Sequence, residues 1–157
     1  MAQAVVKLTR DTMTPKLQAM IARLKNPRVL LEPIRNRLIE ITRRSFDGQK
    51  SPDGKPWVAL SPKWAARKNR LRPGRKILQF SGALSGPTGT FTGIEGNTVF
   101  IATRADLVYG RIHQEGGRAG RNRSAKIPAR PFLGFPKKDQ DEIASDAEQA
   151  VLEGGAQ

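Results

Sequence analysis

His113 is the sole histidine of the 157-residue chain. With Glu115 two residues on and Asp106 one turn back, it would have to carry any acid-base or metal chemistry. The absence of cysteine removes thiol nucleophiles, thiolate zinc sites and disulfide staples together. Catalysis needs convergent groups with displaced pKa values inside a pocket, and one imidazole beside scattered acids does not specify that arrangement. Gly82 and Gly86 lack the Gly-Lys-Ser/Thr ending of a phosphate-cradling loop. The expectation is therefore no enzyme, no metal and no cofactor. His113 and Gln114 are expected to hydrogen-bond the backbone around Gly116-Gly117, where glycines supply positive φ angles.

The chemistry that the residues do offer is attraction of anions. Lys and Arg number 28 against 14 Asp and Glu, a net charge of +14, and such a surplus points to a polyanion or an acidic partner surface. Between Gly54 and Ile94 there is no acid, yet Lys55, Lys63, Arg67, Lys68, Arg70, Arg72, Arg75 and Lys76 fall there. A second cluster comprises Arg118, Arg121, Arg123, Lys126 and Arg130. After Lys138 the sign reverses, with Asp139, Asp141, Glu142, Asp146, Glu148 and Glu153 unaccompanied by any cation. Both runs are expected to be interaction surfaces, for an acidic protein partner or for nucleic-acid phosphates, with solvation of helix faces as the plain alternative. Arg130 differs, because a guanidinium between Pro128 and Pro131 is preorganised for a carboxylate or phosphate. Two partners stand open for it: the C-terminal acids of its own chain, or a neighbouring subunit.

The elements that must position these groups read as α+β, in one domain over 1–157 with flexible ends at about 1–10 and 153–157. Pro15 opens a first helix with Leu17, Met20, Ile21 and Leu24 at helical spacing, and Asn26-Pro27 ends it. Leu30, Ile34, Leu38 and Ile41 stripe a second helix, in which Pro33 makes either a kink or the true first turn. Phe46-Asp47-Gly48 opens a loop, and Ser51 to Trp57 is dense in turn residues. Ser61-Pro62 starts a short basic helix through about Asn69, which Arg72-Pro73-Gly74 stops.

Asn97 to Thr103 is β-branched and aromatic, with a hairpin turn in Gly93 to Asn97 before it. Leu107 to His113 suits a short helix. Gly116 to Ala125 is a glycine-arginine loop, too polar to fold on itself and mobile when free. In Ile127 to Leu133 the prolines hold an extended edge while Phe132 and Leu133 plug the core; Trp57 and Trp64 are expected as core anchors. Ile143, Ala147, Ala150 and Val151 give an acidic last helix its inward face. The sum is N-terminal helices and a C-terminal helix on a small antiparallel sheet, with long basic loops. No stretch approaches the roughly 20 apolar residues of a membrane span, and no apolar leader follows Met1, so neither a membrane nor cleaved export is expected.

Three segments, spaced over Phe46 to Gly134, carry a resemblance. They are Phe46 with Ser51-Pro52-Asp53-Gly54-Lys55-Pro56-Trp57 and Leu60-Ser61-Pro62; Ile77-Leu78 through Ser81-Gly82-Ala83-Leu84; and Tyr109, Ile112-His113-Gln114, Gly116-Gly117 and Ile127-Pro128-Ala129-Arg130-Pro131-Phe132-Leu133-Gly134. Together they resemble the phage virion morphogenesis family, also called the tail completion family, of Mu-like tailed phages. Ser81, Glu115 and Pro87 depart from its usual residues.

The resemblance implies a neck, tail-completion or tail-terminator subunit at the head-tail junction, made in the host cytoplasm and built into the virion as a homo-oligomeric ring. Its expected partners are connector or portal-side proteins, tail-tube proteins and, nonspecifically, packaged DNA. Opposite charges on Arg118 to Arg130 and on the last helix suit head-to-tail contacts between subunits. Charge alone supports an alternative, a nonspecific nucleic-acid-binding protein.

Overall fold

A computed structural model describes residues 27–86, 89–107 and 109–153, with Gln18, Ile21, Ala22 and Lys25 as isolated helical positions. Apart from Ile21, the residues that defined the expected first helix lie outside the described residues, as do the expected flexible ends except Glu153.

Helix α1 spans Pro27–Gly48 and contains Pro33 within it. It begins where Pro27 can occupy a first turn whose N–H would be unbonded anyway. It outlasts the expected loop at Phe46-Asp47-Gly48, because Ile41, Ser45 and Phe46 continue its buried face. The buried hydroxyls of Thr42 and Ser45 donate to the carbonyls of Leu38 (2.9 Å) and Ile41 (3.0 Å), so that face leaves neither unpaired. Helix α2 is Pro62–Leu71, with Ser61 at the N-cap, Pro62 in the first turn and no buried residue.

Strands β1 (Thr90–Glu95) and β2 (Thr98–Thr103) pair antiparallel from Thr90↔Thr103 to Glu95↔Thr98 and lie against α1. Their turn is confined to Gly96 and Asn97. Gly93, expected in the turn, is instead within β1 opposite Phe100, whose ring lies where a Cβ at position 93 would stand, 2.5 Å from its Cζ. Helix α3 (Tyr109–Glu115) follows, displaced by two residues from the expected Leu107 start.

Gly116 to Ala125 is not an unfolded loop. Strand β3 (Gly117–Ala119), a 3-10 turn (Arg121–Arg123) and β4 (Ala125–Ile127) form a second antiparallel hairpin. Small residues let its backbones pair without side-chain alternation, which is why polarity alone concealed it. Helix α4 (Lys137–Glu153) closes the order and packs on α1. The architecture is α+β as expected, with the strands in two separate two-stranded sheets rather than one.

Phe46, Trp57, Leu84 and Phe132 form a buried apolar cluster, with Ile77, Leu78, Leu107 and Leu133 packed against it. Phe132 is fully buried. The Phe46 ring meets Trp57 edge-on at 5.6 Å and Phe132 at 5.1 Å, and Trp57 Nε1 donates to the Pro131 carbonyl (2.7 Å). Burial of the indole therefore leaves its polar atom satisfied. Between Lys50 and Trp57 the chain reverses through bonds from Ser51 N to Lys55 O (2.7 Å) and from Trp57 N to Gln49 O (2.9 Å), delivering the indole to the core.

Candidate functional site

The two basic runs, more than 40 residues apart in sequence, meet. Lys63 and Lys68 of α2, Lys126 of β4 and Arg130 line one groove of about 810 Å³. Its apolar lining includes Leu60, Trp64, Leu78, Phe80, Ile127 and Pro128. Trp64 and Phe80 remain 58% and 44% exposed, so Trp64 is not the core anchor that Trp57 is. The Arg67 guanidinium lies 5.3 Å from the Trp64 ring centroid, a cation-π contact available to an exposed indole. Arg70, Arg72, Arg75 and Lys76 are exposed and lie outside the groove's lining. Lys76 Nζ donates to the Asp47 carbonyl (2.7 Å), and Lys68 Nζ donates to that of Arg75. Partial burial lowers the Lys68 pKa from its ordinary value.

Arg130 holds the two runs together. Its backbone N–H donates to His113 O (2.6 Å), its Nε to Val58 O (2.7 Å) and its Nη2 to Ala59 O (3.1 Å), while the residue is 4% exposed. Among the described residues no carboxylate of the chain's own C-terminal run pairs with it. Burial lowers the guanidinium pKa, but arginine keeps its proton in proteins, so a cation sits there on backbone carbonyls alone. The prolines on either side favour an extended chain, from which the Arg130 amide and side chain reach the neighbouring segments.

Gln114 bonds a different stretch of backbone from the glycine turn expected for it. Its Oε1 accepts from Phe132 N and Leu133 N (both 3.0 Å), and its Nε2 donates to Leu133 O (2.8 Å). One side-chain amide thus serves the extended segment as a strand partner would and seats Phe132. His113 makes no corresponding bond to the glycine turn: its Nδ1 is buried without a hydrogen-bond partner. Desolvation, and secondarily the Arg130 charge, lower its pKa, keeping the imidazole neutral. Gly116 takes φ +79°, and a Cβ there would come within 2.9 Å of Ala129 N. This glycine is required where α3 turns into β3.

The acids near His113 are engaged elsewhere. Glu115 pairs with Arg111 (3.0 Å) and Asp106 with Arg104 (2.8 Å). Among the described residues, no group of three or more His, Cys, Asp or Glu side chains could hold a metal ion.

The hairpin carries Arg118, Arg121, Arg123 and Lys126, all exposed. Arg118 stands directly opposite Lys126 in the β3–β4 register, a like-charge pair that weakens the hairpin unless an anion lies between. At its tip Asn122 (φ +56°) and Arg123 (φ +52°) are consecutively left-handed. Glycine would adopt that conformation freely; an arginine holds it at a cost of about 1 kcal/mol or more.

The acidic run behaves differently. Asp139, 5% exposed, accepts from Arg44 Nη2 (2.7 Å) on α1. Arg37 Nε lies 2.8 Å from the same oxygen, an ion pair too bent for a hydrogen bond, and Arg37 Nη2 also pairs with Glu142.

What this surface can do is bind: it presents fixed cations, exposed apolar side chains and no carboxylate within the groove. No solved structure matches the chain. Two curated relatives do. The chain is 33% identical over 89 residues to "Mu-like prophage FluMu G protein 2" of Haemophilus influenzae, covering 57% of this chain and 59% of that one. It is 34% identical over 110 residues to "Putative capsid assembly protein G" of Escherichia phage Mu, covering 68% and 67% respectively. The chain thus spans about three fifths to two thirds of these relatives' lengths. The sequence model of the Phage virion morphogenesis family matches residues 9–152, nearly the whole chain, and the chain belongs to that family.

Proposed function

We propose that this protein is a structural subunit of the head-tail junction of a tailed-phage virion, completing the tail or neck and joining it to the DNA-filled head. It works by binding and not by catalysis. Membership of a virion morphogenesis family carries the reading, and the phage Mu relative's name as a capsid assembly protein agrees with an assembly role. The chain's own contribution is its uncompensated basic surface. Asp139 and Glu142 of α4 are drawn onto α1, and the cations of α2 and the β3–β4 hairpin are left to meet partners in a ring: connector or portal-side proteins and the tail tube. Charge there would speed docking and fix register.

Replacing Arg118, Arg121 and Arg123 together by Glu tests this. The expected outcome is a folded protein, by circular dichroism, and lysates in which filled heads and tails accumulate unjoined. Normal titres of infectious particles from that variant would sink the proposal. A nonspecific nucleic-acid-binding protein is the alternative, favoured by the net charge of +14. It requires tight binding of duplex DNA by the isolated chain, falling steeply with salt, and no stable incorporation into particles.

A further inference from the structure

We propose that the groove between α2 and the β3–β4 hairpin receives an acidic protein segment bearing a large apolar side chain. The inference rests on the assembly reading for the origin of that segment, a partner in the virion, and assigns it a place and a chemistry.

Two features of the groove specify the occupant. Its rim supplies Lys63, Lys68 and Lys126 with no carboxylate in the lining, so an anionic chain is attracted without repulsion. Arg118, exposed and opposite Lys126, adds a cation whose repulsion from that lysine an incoming carboxylate would relieve. Its floor, by contrast, is apolar, and aliphatic more than aromatic: Leu60, Leu78, Ile127 and Pro128 accompany Trp64 and Phe80. A phosphate backbone gains nothing from such a floor. Bases could stack on aromatic rings, but the Trp64 ring already carries Arg67, and aliphatic walls give a base no stacking surface. A Leu, Phe or Trp side chain flanked by Asp or Glu matches both features: the apolar group is removed from water in the groove, and the carboxylates reach the lysines. This pattern of an apolar anchor inside a charged rim is that of energetically dominant residues at protein interfaces.

The test is selection of random dodecapeptides displayed on a carrier against the full chain, with counter-selection against the Trp64→Ser/Lys68→Glu/Lys126→Glu variant. The expected peptides are enriched in Asp and Glu around one Leu, Phe or Trp. Their synthetic versions should bind, by fluorescence polarisation, at least tenfold more weakly to the variant. Lys126→Glu alone, an exposed position, should weaken binding about threefold and serves if the triple variant fails to fold. Enriched peptides without acidic bias, or equal binding to the variants, overturn the proposal. So does displacement of the peptide by a 20-nucleotide single strand or duplex at matched charge, which would make the groove a nucleic-acid site. Self-association of the chain that the peptide dissolves would assign the groove to a second copy and likewise overturn it. None of these measurements uses particles. Failure here, with head-tail joining still lost in the hairpin triple variant, removes the groove occupant alone; selected peptides alongside normal joining in that variant remove the assembly reading alone.

Discussion

At the seam between α1 and α4, Arg37 and Arg44 converge on a buried carboxylate, Asp139, and Glu142 adds a second anion. Across the β3–β4 hairpin, Arg118 faces Lys126 and neither has an acid opposite it. Both regions are rich in arginine, yet in one the charges hold elements of the chain together and in the other they push strands apart. A count of charges along the chain cannot separate these cases, because the partner that decides each lies about a hundred residues away or outside the molecule. The acidic run, expected to be free for a neighbouring subunit, is partly engaged at home. The basic hairpin is the side left with attraction to offer.

Substitutions should bring out the contrast with opposite signs. Asp139→Ala removes the anion shared by two guanidiniums and should destabilise the fold by roughly 2 kcal/mol, less than the 3–5 typical of fully buried pairs because Arg44 is half exposed. Urea unfolding measures it; a loss under 0.5 kcal/mol would mean that the seam is not held by charge. Arg118→Thr should do the reverse, by a smaller amount.

A titration separates the two regions again. His113 sits beside Arg130 with its pKa lowered from 6.5 by burial and then by that cation. The unfolded state therefore binds the proton first as pH falls. The His113 contribution to stability should be constant above about pH 7 and should decline as pH drops below about 6.5, by no more than about 1.4 kcal/mol per pH unit, until the folded-state imidazole also protonates. His113→Asn should flatten that slope while Asp139→Ala leaves it in place. An unchanged slope in His113→Asn would locate the titration elsewhere. The smallest effect is that of Arg118→Thr, which removes the like charge facing Lys126 and should stabilise the free chain by about 0.5 kcal/mol in the same urea assay. Destabilisation there would show that the hairpin already has an anion of its own.

Local signals in the sequence survived folding where they were backed by strong chemistry. Pro27 and Ser61-Pro62 do begin helices, Thr98 to Thr103 is a strand, and Phe132 fills the core. The failures were of partnership over distance. Arg130 bonds to carbonyls at Val58 and Ala59, and a backbone carbonyl has no residue type to announce it. The sequence neighbours of Gln114 suggest the glycine turn as its partner, whereas its amide serves residues 18 and 19 positions on. The β3–β4 hairpin carries no apolar alternation, so periodicity could not reveal it; Gly120 and Asn122, both left-handed, were the available hint. The groove itself was foreshadowed only by Trp64, Leu78 and Phe80 lying in the stretch without acids.

The clasp of Arg130 on Val58 and Ala59 has a consequence for timing. The clasp ties Val58 and Ala59, beside one wall of the groove, to Arg130 in the other, and Arg130 emerges from a ribosome some 70 residues after the carbonyls it grips. A nascent or unfolded subunit therefore displays two unconnected basic strings and no apolar recess. For the docking proposed above, completion of the chain would act as a licence: a subunit could be recruited only after it had folded, and defective copies would be passed over without a separate inspection step.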